Sequence, residues 1–141
     1  MLCQISLGSA HYRQALALRS KVLRDPLGLC LSEEDLESDP VCLHLAALRG
    51  GRLIGAVVLE PKDHNAYYLK QMAIDPEEQG HGVGRALLRQ AESLAAAKGG
   101  KRIYMQARMT ARGFYEKLGY APVGESQIFI GIPHIKMEKM L

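Results

Sequence analysis

The sequence predicts a mixed α/β domain built on one sheet, and three observations carry that expectation. Apolar residues are 48% of the 141 and charged residues 23%, the balance of a folded globular chain. Short apolar runs alternate with segments whose apolar residues repeat at helical spacing. Glycine and proline mark the boundaries between them. The order that results is β-α-α-β-β-β-α-β-α-β-β. No repeat or linker interrupts it, so residues 1–141 read as one domain.

The elements follow in turn. "LCQISL" is the first strand. Ser9 is placed to cap a helix over 10–24, with Tyr12, Ala15, Leu16, Leu18, Val22 and Leu23 as its stripe. Asp25-Pro26 stops it, because proline lacks an N–H and clashes with the preceding turn. Ser32 followed by Glu33, Glu34 and Asp35 opens a short helix. "CLHLAALR" and "RLIGAVVLE" flank Gly50-Gly51, a dipeptide suited to a tight hairpin turn. "AYYLKQMAI" (66–74) is the next strand and ends at Asp75-Pro76. A glycine-rich turn then leads into a helix from about 82 to 98, with Val83, Leu87, Leu88, Ala91, Leu94 and Ala95 as its apolar face. Gly99-Gly100 ends it. "KRIYMQA" is a strand, and "TARGFYEKLG" a short helix with Phe114 and Leu118 on one face. "YAPVGE" and "QIFIGIPHIKMEKM" are the terminal strands.

Composition narrows the partners. A net charge of +3 without a dense basic run argues against nucleic acid. No apolar run approaches the roughly 18 residues of a membrane span, and the N-terminus has no signal-peptide pattern, so a cytoplasmic location without membrane association is expected. Cys3, Cys30 and Cys42 are widely spaced with no metal-like pairing, and no metal is expected.

The chemistry concentrates in "PEEQGHGVGRALL". A helix beginning near Gly82 presents free N–H groups and the positive end of its dipole, and glycines let an anion approach the backbone. A phosphate-bearing ligand is therefore expected. A Walker loop requires Gly-Lys-Ser/Thr, but Gly84 is followed by Arg85-Ala86. A dinucleotide fingerprint fails at Arg85 in one frame and Leu87 in the other, and the later acidic residue is missing.

Gln79-Gly80-His81-Gly82-Val83-Gly84 resembles the Q/R-x-x-G-x-G/A signature of the GNAT superfamily of N-acetyltransferases. There the loop holds the pyrophosphate of coenzyme A. "ARGFYEKLGY" resembles that superfamily's second motif. "LRSKVL", "EEDLESDPVCLHL" and "GESQIFIGIPHIKMEK" resemble its ElaA-like branch. The resemblance spans the chain and is most specific over 72–85 and 111–120. It implies a central, mostly antiparallel twisted sheet of six to seven strands with about four helices. It also implies acetyl transfer from acetyl-CoA to a primary amine in a ternary complex.

By the same resemblance, Met72, Ala73 and Ile74 offer backbone to the pantetheine arm, and Met72 N–H polarises the thioester oxygen. Gln79, Gly80, His81, Gly82, Val83, Gly84 and Arg85 wrap the pyrophosphate. Tyr115 lies beside the sulfur as general acid, and a phenol suits protonation of a thiolate. The base is open. The glutamate that some relatives carry is absent from Ala66-Tyr67-Tyr68-Leu69. His134, His44, Glu60 and a water relay are the candidates, with histidine in the right range for neutral pH. Glu33, Glu34 and Asp35 either attract a cationic amine or simply solvate a helix start. The acceptor is a small amine, an amino sugar, a peptide N-terminus or a lysine. A cofactor-binding sensor without turnover is the alternative. The bend at "PVGESQIF" leaves an edge that suits a homodimer.

Overall fold

The computed structural model describes residues 1–141. Seven strands form one sheet in the order β1-β2-β3-β4-β5-β7-β6, and only the β4–β5 pair is parallel. The strands are β1 (Leu2–Ile5), β2 (Leu43–Arg49), β3 (Arg52–Lys62), β4 (Ala66–Ile74), β5 (Arg102–Arg108), β6 (Ala121–Phe129) and β7 (Ile132–Met140). The helices are α1 (Ala10–Arg19), α2 (Glu33–Leu36), α3 (Val83–Ala97) and α4 (Arg112–Lys117). The expected element order and mostly antiparallel sheet are both present.

The sheet is buried on both faces in its centre, so β3 reads as a continuous apolar run. Leu45 and Ala47 of β2 face a core shared with α3 and α4, while Ala46 and Leu48 face α1. This alternation is the period of two that a pleated strand imposes. Leu87, Leu88, Ala91 and Ala95 of α3 are wholly buried. The helix sits directly on β3 because Gly55 has no side chain. A Cβ there would lie 2.9 Å from Val83 Cγ1 and 3.0 Å from Leu87 Cδ1.

Three local expectations are corrected. The first helix does not run regularly to Arg24: after Arg19 it loosens into a π-turn over Ser20–Arg24, then a 3₁₀ turn at Asp25–Leu27. Its buried face is Tyr12, Ala15, Leu18 and the charged Arg19. In α4 the inward face is Tyr115 with Leu118, while Phe114 is part-exposed and lies over Gly84 of α3. The last hairpin turns at Ile130-Gly131, and the predicted break at Ser126 is instead an irregularity within β6 between Val123 and Gln127.

Candidate active site

β4 and β5 pair only at Ala66–Arg102, Tyr67–Ile103 and Tyr68–Tyr104, then part. From Leu69 to Ile74 the β5-facing edge of β4 has no ladder partner. A one-residue bulge opposite Val57 deepens the split: Ala56 pairs with Ala73 but Val58 with Lys70. Gln71 sits in that bulge at φ 54°, a conformation rare for a residue with a side chain. Bulges of this kind re-aim the backbone that follows them, and here that backbone is Met72.

A cleft of about 810 Å³ occupies the split. Met72, Tyr115 and His134 all line it, as do Arg24 from the π-turn after α1 and Asp35 of α2. Leu29, Cys30, Ser32 and Glu34, residues 105–108 of β5, and Phe129, Ile130 and His134 of the last hairpin supply its other walls.

Tyr115 is 7% exposed, and its hydroxyl has only the Met72 sulfur at 3.9 Å as a weak acceptor. Burial pushes its pKa up to about 12, above the expected phenol value. Tyr120 differs: it donates to Glu92 Oε2 at 2.9 Å and is held in place beneath α3. Burial first, and then the Glu92 charge, raise its pKa.

The three protein base candidates separate in space. His134 lies in the cleft, its Nδ1–H donating to the Ile132 carbonyl at 2.8 Å, which leaves Nε2 as the acceptor nitrogen. His44 is buried beneath α1, with Nε2 bound to the Asp39 carbonyl at 2.9 Å and its ring edge-on to Tyr12. Glu60 is ion-paired to Lys62 at 2.9 Å and Lys70 at 3.4 Å. Of the acidic trio, Glu33 and Glu34 are exposed. Asp35 closes a capping box with Ser32 and pairs with Arg24 at 2.7 Å. The Arg24 hydrogen bond holds its carboxyl below the usual range.

The glycine turn meets the cleft through Gly84, where a Cβ would lie 3.8 Å from the Met72 sulfur. Gly82 is the N-cap of α3 at φ 82°, and no side chain caps this helix or places an acid in its first turn. α1 and α2, by contrast, are capped by Ser9 and Ser32. The first turn of α3 thus keeps its N–H groups and positive dipole end free for an anion. His81 and Arg85 are exposed beside it, and Gln79 Nε2 donates to the Ile74 carbonyl at 3.3 Å. Asp75 sets the lead-in by accepting from Glu77 N–H at 3.0 Å and from Arg52 at 3.0 Å.

Gln71 and Arg108 escaped the sequence reading. A single-residue bulge leaves no mark on an alternating pattern, and Arg108 lies one residue past the predicted strand "KRIYMQA", whereas β5 includes it.

Comparison with known proteins agrees with this architecture. Residues 31–141 match the acetyltransferase (GNAT) domain model. A Lactobacillus plantarum protein described as an N-acetyltransferase superposes with a TM-score of 0.89 at 28% identity, over 99% of this chain and 98% of that one. Escherichia coli ElaA has the same fold at TM-score 0.87 and 19% identity, over 99% and 98%. An aminoglycoside 6'-N-acetyltransferase complexed with coenzyme A superposes at 0.80 and 21%, over 99% and 96%. No helix is long and apolar enough to cross a membrane. The chain belongs to the GNAT acetyltransferase family and is an acyltransferase.

Proposed function

We propose that the chain moves the acetyl group of acetyl-CoA to a primary amine by direct attack within a ternary complex. The observation that carries this reading is the juxtaposition of three features. The unpaired edge of β4, the uncapped start of α3 and the Tyr115 hydroxyl all meet at Met72.

Each feature has a chemical task in this reading. Met72, Ala73 and Ile74 pair with the pantetheine amides as an added strand would. Gln79 to Arg85 carry the pyrophosphate on the α3 N-terminus. Met72 N–H donates to the thioester oxygen, where negative charge grows during attack. His134 Nε2 takes a proton from the ammonium, and the neutral nitrogen attacks the carbonyl carbon. As the C–S bond breaks, Tyr115 gives its proton to the departing sulfur, and the proton that the acetylated nitrogen then sheds returns the phenolate to phenol. Burial weakens the phenol as an acid, but it raises the proton affinity of a thiolate in the same site as well.

A panel of amines with acetyl-CoA, read by release of free CoA thiol, tests the proposal. Saturable CoA binding with no amine turned over would favour the sensor reading instead. Two variants test the assignments. Gly82→Val should weaken CoA binding at least about tenfold, because a Cβ would stand where the pyrophosphate approaches the backbone. Nothing in the protein lies within 4 Å of that Cβ, so the folding cost is limited to strain at φ 82°. An unchanged dissociation constant sinks the loop assignment. His134→Ala should flatten the acidic limb of the pH–rate profile, since a base must be unprotonated to act. An acidic limb of unaltered slope in that variant rules His134 out.

A further inference from the structure

We propose that the acceptor is a primary amine that also carries a carboxylate, held by Arg108, with an apolar substituent against the rim of the cleft. The inference rests on the acetyltransferase reading and concerns the same cleft.

Two charges that line the cleft have no ion-pair partner: Glu34, whose side chain is exposed, and Arg108, and the half-buried cation is the basis of the inference. Arg24, Lys70 and Arg108 border the cleft. Arg24 is neutralised by Asp35 at 2.7 Å and Lys70 by Glu60 at 3.4 Å. Arg108 has no carboxylate within 4.0 Å. Its guanidinium makes one long hydrogen bond, to the Leu23 carbonyl at 3.4 Å. The residue is half-buried, so water screens it less than it would a surface arginine.

The position of Arg108 matters as much as its charge. It ends β5 and stands directly opposite His134 of β7. Directly opposed residues of an antiparallel pair project to the same face. The unmatched guanidinium is therefore a neighbour of the proposed base, and it shares the cleft with Tyr115. An amine presented to His134 places a nearby carboxylate within the range of Arg108. The planar guanidinium fork fits a carboxylate through two parallel charge-assisted bonds, which an ammonium cannot supply. A polyamine would instead bring a second positive charge against Arg108. Leu29, Phe129 and Ile130 line the mouth while 43%, 41% and 49% exposed, which suits an apolar substituent.

The test compares L-leucine, L-methionine and L-phenylalanine with their carboxamides as acceptors, using acetyl-CoA and thiol release. The ratio of kcat/KM for acid over amide is measured in wild type, Arg108→Gln and Arg108→Lys. In Arg108→Gln the ratio should fall about ten- to a hundredfold, the loss expected for a charged hydrogen-bonded pair. Arg108→Lys should fall between the two, and the KM for acetyl-CoA should not move. An unchanged ratio overturns the proposal, as does a preference for 1,5-diaminopentane over every carboxylate-bearing probe. Turnover of other amines but of none of these probes also overturns it, and if no amine of the wider panel is turned over either, the acetyltransferase reading fails separately. Titration calorimetry of L-phenylalanine into CoA-saturated protein then decides: binding lost in Arg108→Gln upholds the carboxylate site, and no binding to wild type overturns it.

Discussion

Tyr115→Phe should lower turnover about 10²- to 10⁴-fold while acetyl-CoA affinity stays within about twofold, the range for loss of a positioned general acid. The hydroxyl is the only group removed, and its one hydrogen-bond partner in the protein is a thioether sulfur at 3.9 Å. Sulfur is a weak acceptor, so folding has little to lose with the hydroxyl. The ring remains edge-on to Phe114 at 5.1 Å and Tyr120 at 5.9 Å, and the core packing is kept. Melting temperature should therefore be unchanged, which separates a catalytic loss from a structural one.

The pH profile adds a second criterion. Burial lifts the Tyr115 pKa to about 12, so the phenol stays protonated wherever the protein is assayed. No basic limb below about pH 11 should trace to Tyr115. Tyr120→Phe is the contrasting case. It breaks a 2.9 Å bond to Glu92 and should affect stability more than turnover. A Tyr115→Phe enzyme with wild-type turnover ends the general-acid assignment.

The elements were legible in the sequence where local chemistry decides them. Gly50 and Gly51 both have positive φ, as a tight hairpin turn requires, and Ser9 and Ser32 cap the helices they precede. The glycine turn was legible because only backbone without Cβ serves an anion at a helix start. What escaped was set by partners distant in sequence. Arg19 is absent from the apolar stripe predicted for α1, yet it is 1% exposed because Asp39 lies across from it. Phe114 was assigned inward on apolarity alone, but Tyr115 is the buried one, with its hydroxyl against the Met72 sulfur. The last hairpin was misplaced because turn-like "GES" lies within a strand irregularity, whereas Ile130-Gly131 supplies the positive φ values of the turn itself.

Asp39→Asn should destabilise the fold by about 3–5 kcal/mol, the cost of leaving a buried charge unpaired. Arg19 Nη1 donates to Asp39 Oδ2 at 2.8 Å, with both side chains 1% exposed. Tyr12 donates to the same oxygen at 2.6 Å, so one carboxylate satisfies two buried donors. The neutral amide leaves the guanidinium uncompensated. The double variant Arg19→Met/Asp39→Leu should recover part of the loss, because no lone ion remains.

The pH dependence has a definite sign. Burial raises the Asp39 pKa, but the Arg19 and Tyr12 hydrogen bonds and the Arg19 charge outweigh it, and the net shift is downward. Between the folded and unfolded values the unfolded chain binds more protons, so stability rises with pH across that window. The contribution is complete above the ordinary carboxylate value of about 4 and is lost as pH falls through the folded one. The gap between wild type and Asp39→Asn should therefore narrow below about pH 4, while other carboxylates, common to both proteins, cancel. A gap constant from pH 7 down to 3 would show that Asp39 is not the group responsible. The damage should also reach the cleft. Arg19 Nε donates to the Gln71 side chain at 3.3 Å, and Gln71 is the strained residue of the β4 bulge. Faster amide exchange at Met72–Ile74 than across β3 in Asp39→Asn would mark the bulge as the first element released, because α1 holds it through this network.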